Sequence, residues 1–184
     1  MACSGIAITH QSTNRENNMF IEGDEIVEFK ILYKKTRHIY TAYTEVEFKD
    51  FLEIRRSELD EKNKQRDKKR DLESIVDIDA VIEGEIGLYS SLNVKMKEVS
   101  WGLYNELQEG AYEADEKGER VFNYRKYKES RLITLLMEWD AKSKKGDPVK
   151  IDKRSIYNTP PPIAEAILRA YDDVSFINEE TEKN

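Results

Sequence analysis

Ser100-Trp101-Gly102-Leu103-Tyr104-Asn105-Glu106-Leu107 reads as the start of a helix, and the chain from there to Tyr171 decides the fold. Ser100 is suited to cap that helix, because its hydroxyl can accept a first-turn N–H, and Leu103, Tyr104 and Leu107 share one face. Asp115-Glu116-Lys117-Gly118 is an acidic turn. Asn123 then caps a second helix with Tyr124, Tyr127, Leu132, Leu135, Leu136 and Trp139 in register, ending Leu135-Leu136-Met137-Glu138-Trp139-Asp140. Gly146-Asp147-Pro148 breaks the chain, and Asp152 caps a single turn through Ile156. Thr159 caps a last helix with Pro160 in its first position, where a missing N–H has no cost. Ile163, Ile167, Ala170 and Tyr171 form the buried stripe of that helix.

Working towards the N-terminus, Leu92-Asn93-Val94-Lys95-Met96-Lys97-Glu98-Val99 alternates as a half-buried strand does. Ile26 to Tyr33 and Arg37 to Tyr43 are rich in β-formers, with Lys34-Lys35-Thr36 between them, and they read as a β-hairpin that the later strand can extend. Thr44 and Glu47 form a capping box. The helix that follows carries Phe48, Phe51, Leu52 and Leu59, then loses its apolar stripe between Glu61 and Asp71. Glu58 with Lys62 and Asp60 with Lys64 have the spacing of helical ion pairs. Residues 73–92 read as either a short strand or a helical turn, with Gly84 and Gly87 as punctuation.

The fold class these signals give is α+β, with an N-terminal β-hairpin or small antiparallel sheet and a mainly α-helical C-terminal bundle. The expected organisation is a flexible arm over residues 1–18 and a hairpin, charged helix and strand over 19–99. A helical domain over 100–177 and a polar tail over 178–184 complete it.

Hydrophobic residues are 39% of the 184 and charged residues 36%, which fits a modest core with long solvated surfaces. It fits equally a subunit that buries more surface in an assembly, a homo-oligomer included. Two Trp, ten Tyr and six Phe argue against overall disorder. The net charge of −7 disfavours generic binding to nucleic acid or to anionic membranes. A single cysteine, Cys3, excludes an internal disulfide and a cysteine-cluster metal site. No apolar run approaches a membrane span, and residues 1–18 lack the pattern of a signal peptide, so an intracellular, soluble protein is expected.

No motif supplies a catalytic site. His10 and His38 have no Ser or Cys signature around them, and a Cys3–His38 nucleophile–base pair has no characteristic spacing. A glycine-rich phosphate loop and a His-Glu-x-x-His zinc site are both missing, so no cofactor or metal is expected. Asp77-x-Asp79 with Glu83 lacks the further oxygen ligands and glycine of a calcium loop and reads as a solvated acidic turn. The run Lys62 to Arg70, with Lys64, Lys68 and Lys69 at its centre, has no interleaved aromatics and reads first as a solvated helix face. An acidic partner and nucleic acid are the alternatives for it. Trp101, Tyr104, Tyr124, Tyr127 and Trp139 are either core or an exposed anchor for a partner.

The second half resembles the tail assembly chaperones of tailed bacteriophages. The resemblance rests on the aromatic–polar helix start at Ser100 to Tyr104 and the glycine-bearing turn from Asp115 to Gly118. It continues in Leu135-Leu136-Met137-Glu138-Trp139 and in Tyr157-Asn158-Thr159-Pro160-Pro161-Pro162-Ile163-Ala164. It spans roughly residues 90–175, and the charged helix from Glu53 to Glu73 departs from it. The resemblance implies a non-enzymatic protein of the infected cell's cytoplasm that binds other phage tail or virion proteins during assembly. Trp101, Tyr104, Tyr127 and Trp139 are the expected contact residues. A structural subunit of tail, baseplate or neck, located in the virion, is the closest alternative. A nucleic-acid-binding or transcription-modulating regulator acting through Lys62 to Arg70 is the second.

Overall fold

The structure, a computed structural model, describes residues 25–69 and 71–180. The fold is α+β. Two strands, β1 (Ile26–Thr36) and β2 (Ile39–Thr44), form the N-terminal hairpin, and β3 (Ser90–Lys97) pairs antiparallel with β1. A fourth strand, β6 (Leu136–Trp139), pairs antiparallel with β3, giving the order β2-β1-β3-β6. Helices α1 (Glu45–Lys68) and α2 (Ile78–Ile86) separate β2 from β3. After β3 come α3 (Trp101–Glu109), a small hairpin of β4 (Tyr112–Ala114) and β5 (Arg120–Phe122), and α4 (Tyr124–Leu135). Then α5 (Lys153–Asn158) and α6 (Pro161–Glu180) follow β6.

Alternation explains the sheet. Val27, Phe29, Ile31 and Tyr33 of β1 share one face with Leu92, Val94 and Met96 of β3, to which the first three are paired. On that face α6 lays Ile163, Ala166, Ile167, Ala170 and Tyr171 against β1 and β2, the stripe its spacing predicts. The Tyr171 hydroxyl donates to the Lys97 carbonyl at 3.1 Å, joining α6 to β3. Leu107, Tyr127, Leu132, Leu135 and Ile156 bring the other C-terminal helices into the same core. The described residues on either side of residue 100 therefore share one sheet and one hydrophobic cluster. The opposite face is polar towards β6, with Lys95 between Glu28 and Glu138 and Lys30 beside Glu45, and at the β2 end it carries Tyr43 packed against Phe48 and Phe51 of α1 and against Tyr89.

Several local expectations change. The hairpin turn is Arg37–His38, so Lys34 to Thr36 lie inside β1; Arg37 takes the positive φ (+57°) that a tight two-residue turn needs. The second long helix stops at Leu135, and Leu136 to Trp139 form β6. The helical register there is overridden because the segment pairs with the free edge of β3. The last helix begins at Pro161, not Pro160: the Thr159 hydroxyl donates to the Ser155 carbonyl at 3.0 Å and Thr159 is extended, as a residue before proline prefers. Its backbone runs to Glu180, past the expected boundary at residue 177.

The caps at Thr44 with Glu47, Ser100, Asn123 and Asp152 all form. Residues 78–86 are helical, and the acidic Asp77 caps that helix by accepting from the N–H groups of Asp79 and Ala80. Asp79 pairs with Arg56, so the acidic turn is tied to α1. Asp60 pairs with Lys64 as its spacing predicts, whereas Glu58 meets Arg55 rather than Lys62. The expected arm over residues 1–18, with Cys3 and His10, lies outside the described residues. Among the described residues no helix is long and apolar enough to cross a membrane.

Candidate partner-binding surface

Helix α3 places its aromatics by its cap. Ser100 accepts from Leu103 N, which sets Trp101 in the first helical position; there the indole is 81% exposed. Tyr104 lies one turn on, 37% exposed, with its hydroxyl accepting from Gln108 at 2.8 Å. Leu107, on the inner side, is buried.

The β4–β5 hairpin follows directly. Its turn is built by Asp115, whose carboxylate accepts from the N–H groups of Lys117 and Glu119, with Gly118 at φ +80°. The hairpin supplies an edge-on Tyr112–Phe122 pair, with ring centres 5.2 Å apart, and Phe122 in turn meets Tyr127 at 5.4 Å. Tyr112, Val121 and Tyr124 are exposed, and the guanidinium of Arg120 covers the Tyr112 ring.

Tyr127 is core: it is 8% exposed, and burial pushes its phenol up to about 12. Behind it, Arg131 stacks between Tyr127 and Tyr171 and pairs with Asp172 of α6. That ion pair, which fastens α4 to α6, carries no sequence signal beyond an arginine among the apolar positions of a helix.

Trp139 is elsewhere. It sits on β6, half-buried, with its indole N–H donating to the Val149 carbonyl at 2.7 Å. It lines a cleft of about 440 Å³ together with Tyr33, Tyr40, Lys150 and Arg154, and neither Trp101, Tyr104 nor Tyr127 lines that cleft. Lys64, Lys68 and Lys69 are exposed near the end of α1. Helix α1 packs on α2, on the 3₁₀ turn Leu72–Ser74 and on β1 and β2, so the basic residues belong to a different part of the molecule from the aromatics.

The structure thus joins Trp101 and Tyr104 on one helix, puts Tyr127 beside Tyr104 as packing, and separates both Trp139 and the lysines. Tyr112, in a strand that the acidic turn alone did not announce, adds exposed apolar surface beside Phe122 and Tyr127, whereas Val121 lies on the other face of the hairpin with Glu113. Comparison with protein-family models, with curated proteins and with solved structures found no match to this chain. Among the described residues no group of three or more His, Cys, Asp or Glu side chains is placed to hold a metal ion. His38 is exposed in the β1–β2 turn, and its suggested partner Cys3 lies outside the described residues.

Proposed function

We propose that this is a non-enzymatic protein that holds apolar segments of other proteins, acting in the assembly of a bacteriophage tail. The phage setting rests on the resemblance of residues 90–175. One observation supports the binding surface: Trp101 is 81% exposed, with Tyr104, Tyr112 and Tyr124 also exposed on the same run of elements. Large apolar side chains grouped in that way characterise interaction surfaces, and tryptophan and tyrosine are the residues that most often dominate their energetics. The buried Tyr127 and the Arg131–Asp172 pair hold the surface's underside rigid. The lysines of α1 do not contribute to this surface.

The test is co-expression with the tail proteins of the same phage, followed by affinity capture of the chain. Capture of a tail protein by the wild type, lost with Trp101→Ser and retained with the charge reversal Lys64→Glu, Lys68→Glu, Lys69→Glu, is expected. Retention with Trp101→Ser and Tyr124→Ser together, in variants that unfold at the wild-type temperature, would refute the surface.

A further inference from the structure

The outer edge of β2 carries a second feature, independent of the aromatic surface. β2 is an edge strand of sequence Ile39-Tyr40-Thr41-Ala42-Tyr43-Thr44, without a charge or a proline, the two devices that usually protect such an edge. Its closing pair Thr36↔Ile39 flanks a two-residue turn, so Ile39, Thr41 and Tyr43 direct their backbone groups at β1, and Tyr40, Ala42 and Thr44 direct theirs outward. Thr44 verifies this parity: its N–H points away from β1 and donates to the Glu47 carboxylate at 2.8 Å. No described residue bonds the outward backbone groups of Tyr40 or Ala42.

We propose that this edge pairs with the same edge of a second copy, antiparallel, about a two-fold axis through Thr41, continuing the four-stranded sheet into one of eight strands. Three observations select that occupant and that register. Pairing about Thr41 sets Tyr40 against Ala42 of the other copy and Ala42 against Tyr40. All four outward donors and acceptors of Tyr40 and Ala42 are then satisfied in each copy. Pairing about Ala42 would instead require the Thr44 N–H, which the capping box already holds.

The side chains fit the same register. On the outer face Ile39, 71% exposed, comes opposite Tyr43, an aromatic–β-branched pair, and Thr41 comes opposite itself. On the core face the large Tyr40 meets the small Ala42. A register shifted by one residue would set core-facing side chains against outer-facing ones. The strand itself carries no charge, so pairing it with its copy brings no like charges face to face, although each chain's net charge of −7 opposes the approach of two copies at low salt. With only four backbone hydrogen bonds in all, two donated by each copy, the dimer is weak and concentration-dependent.

The experiment uses the full chain with Cys3→Ser and single cysteines returned at chosen positions. In this register Thr41 is its own partner in a pair without backbone hydrogen bonds, where Cα atoms lie about 4.5 Å apart, close enough for a disulfide. Mild oxidation of Thr41→Cys is expected to give a disulfide-linked dimer. Ile39→Cys alone and Tyr43→Cys alone are expected to give little, and a mixture of the two to give a mixed dimer. Sedimentation of the unsubstituted chain is expected to show mass rising towards twice the monomer's with concentration. A monomer at every concentration without linkage at Thr41→Cys overturns the proposal, as does equal linkage at Ile39→Cys alone. A monomer whose Tyr40 and Ala42 amides resist exchange shows the edge covered from within the chain, and also overturns it. Sedimentation as a monomer in which those amides become protected only on adding a foreign extended peptide assigns the edge to another partner, with the same consequence.

Discussion

Replacing Asn63 by alanine should loosen the α1–α2 arm while leaving the sheet intact. Helix α1 is 24 residues long, about 36 Å, and its first turns meet the sheet through Phe48 and Phe51 on Tyr43 and Glu45 beside Lys30. Its far half is held by a segment that returns along it. The Asn63 side chain acts there as a piece of strand: its Nδ2 donates to the Val76 carbonyl at 2.9 Å, and its Oδ1 accepts from the Val76 N–H at 3.1 Å. Arg66 donates to the Ser74 carbonyl one turn further on. Each of the two Asn63 bonds contributes about 1 kcal/mol net, with Val76 half-buried and so partly rehydrated on loss. Alanine is the better helix former by about 0.5 kcal/mol, which offsets part of the ~2 kcal/mol lost. The net expectation is about 1.5 kcal/mol in Asn63→Ala. Asn63→Asp keeps the acceptor and loses the donor, and should fall about halfway. Urea titration measures the global change, and amide exchange at Val76 and through α2 measures the local one. A change under about 0.5 kcal/mol with Val76 exchange unaltered would refute the role given to the clamp.

Three further outcomes follow from the core and its ionisable groups. Leu135→Ala, at a fully buried position where α4 gives way to β6, should cost about 2–5 kcal/mol by thermal or urea unfolding. Tyr127 titrates high because burial disfavours its phenolate. Its contribution to stability is fully present below pH 10, the unfolded value, and is lost as pH rises towards about 12; Tyr43, Tyr157 and Tyr171 are raised as well, so absorbance titration should show several late tyrosines, one fewer in Tyr127→Phe. Burial pushes the Glu47 carboxyl up, but the Arg169 guanidinium and the Thr44 N–H together hold it below its ordinary value. The stability it contributes is present above pH 4.5 and is lost as pH falls through the folded value, so Glu47→Gln should flatten the acid limb of a stability–pH curve.

The legible parts of this fold were those with strong local chemistry. Four caps, the stripe of α6, the alternation of β3 and the hairpin of β1 and β2 were each written in a few neighbouring residues. What escaped depended on distant partners. Leu135 to Trp139 keeps helical spacing, and only the open edge of β3 turns Leu136 onward into a strand. Thr159 looks like a cap, yet its hydroxyl finds the Ser155 carbonyl first. The returning segment to α2 was ambiguous because its anchor, Asn63, is one polar residue within a charged run. At the candidate surface, Trp101 and Tyr104 were readable as aromatics at a helix start. Their division into exposed Trp101 and buried Tyr127 was not, since it depends on how α3 and α4 meet. Trp139 left the group when its segment became a strand.

The measurement closest to the central claim is mass spectrometry of purified phage particles beside lysate of the infected cells. A protein that holds tail components only until they are built in should be abundant in the lysate and absent from the particle. Stoichiometric presence in the particle would contradict that account and make the chain a structural subunit.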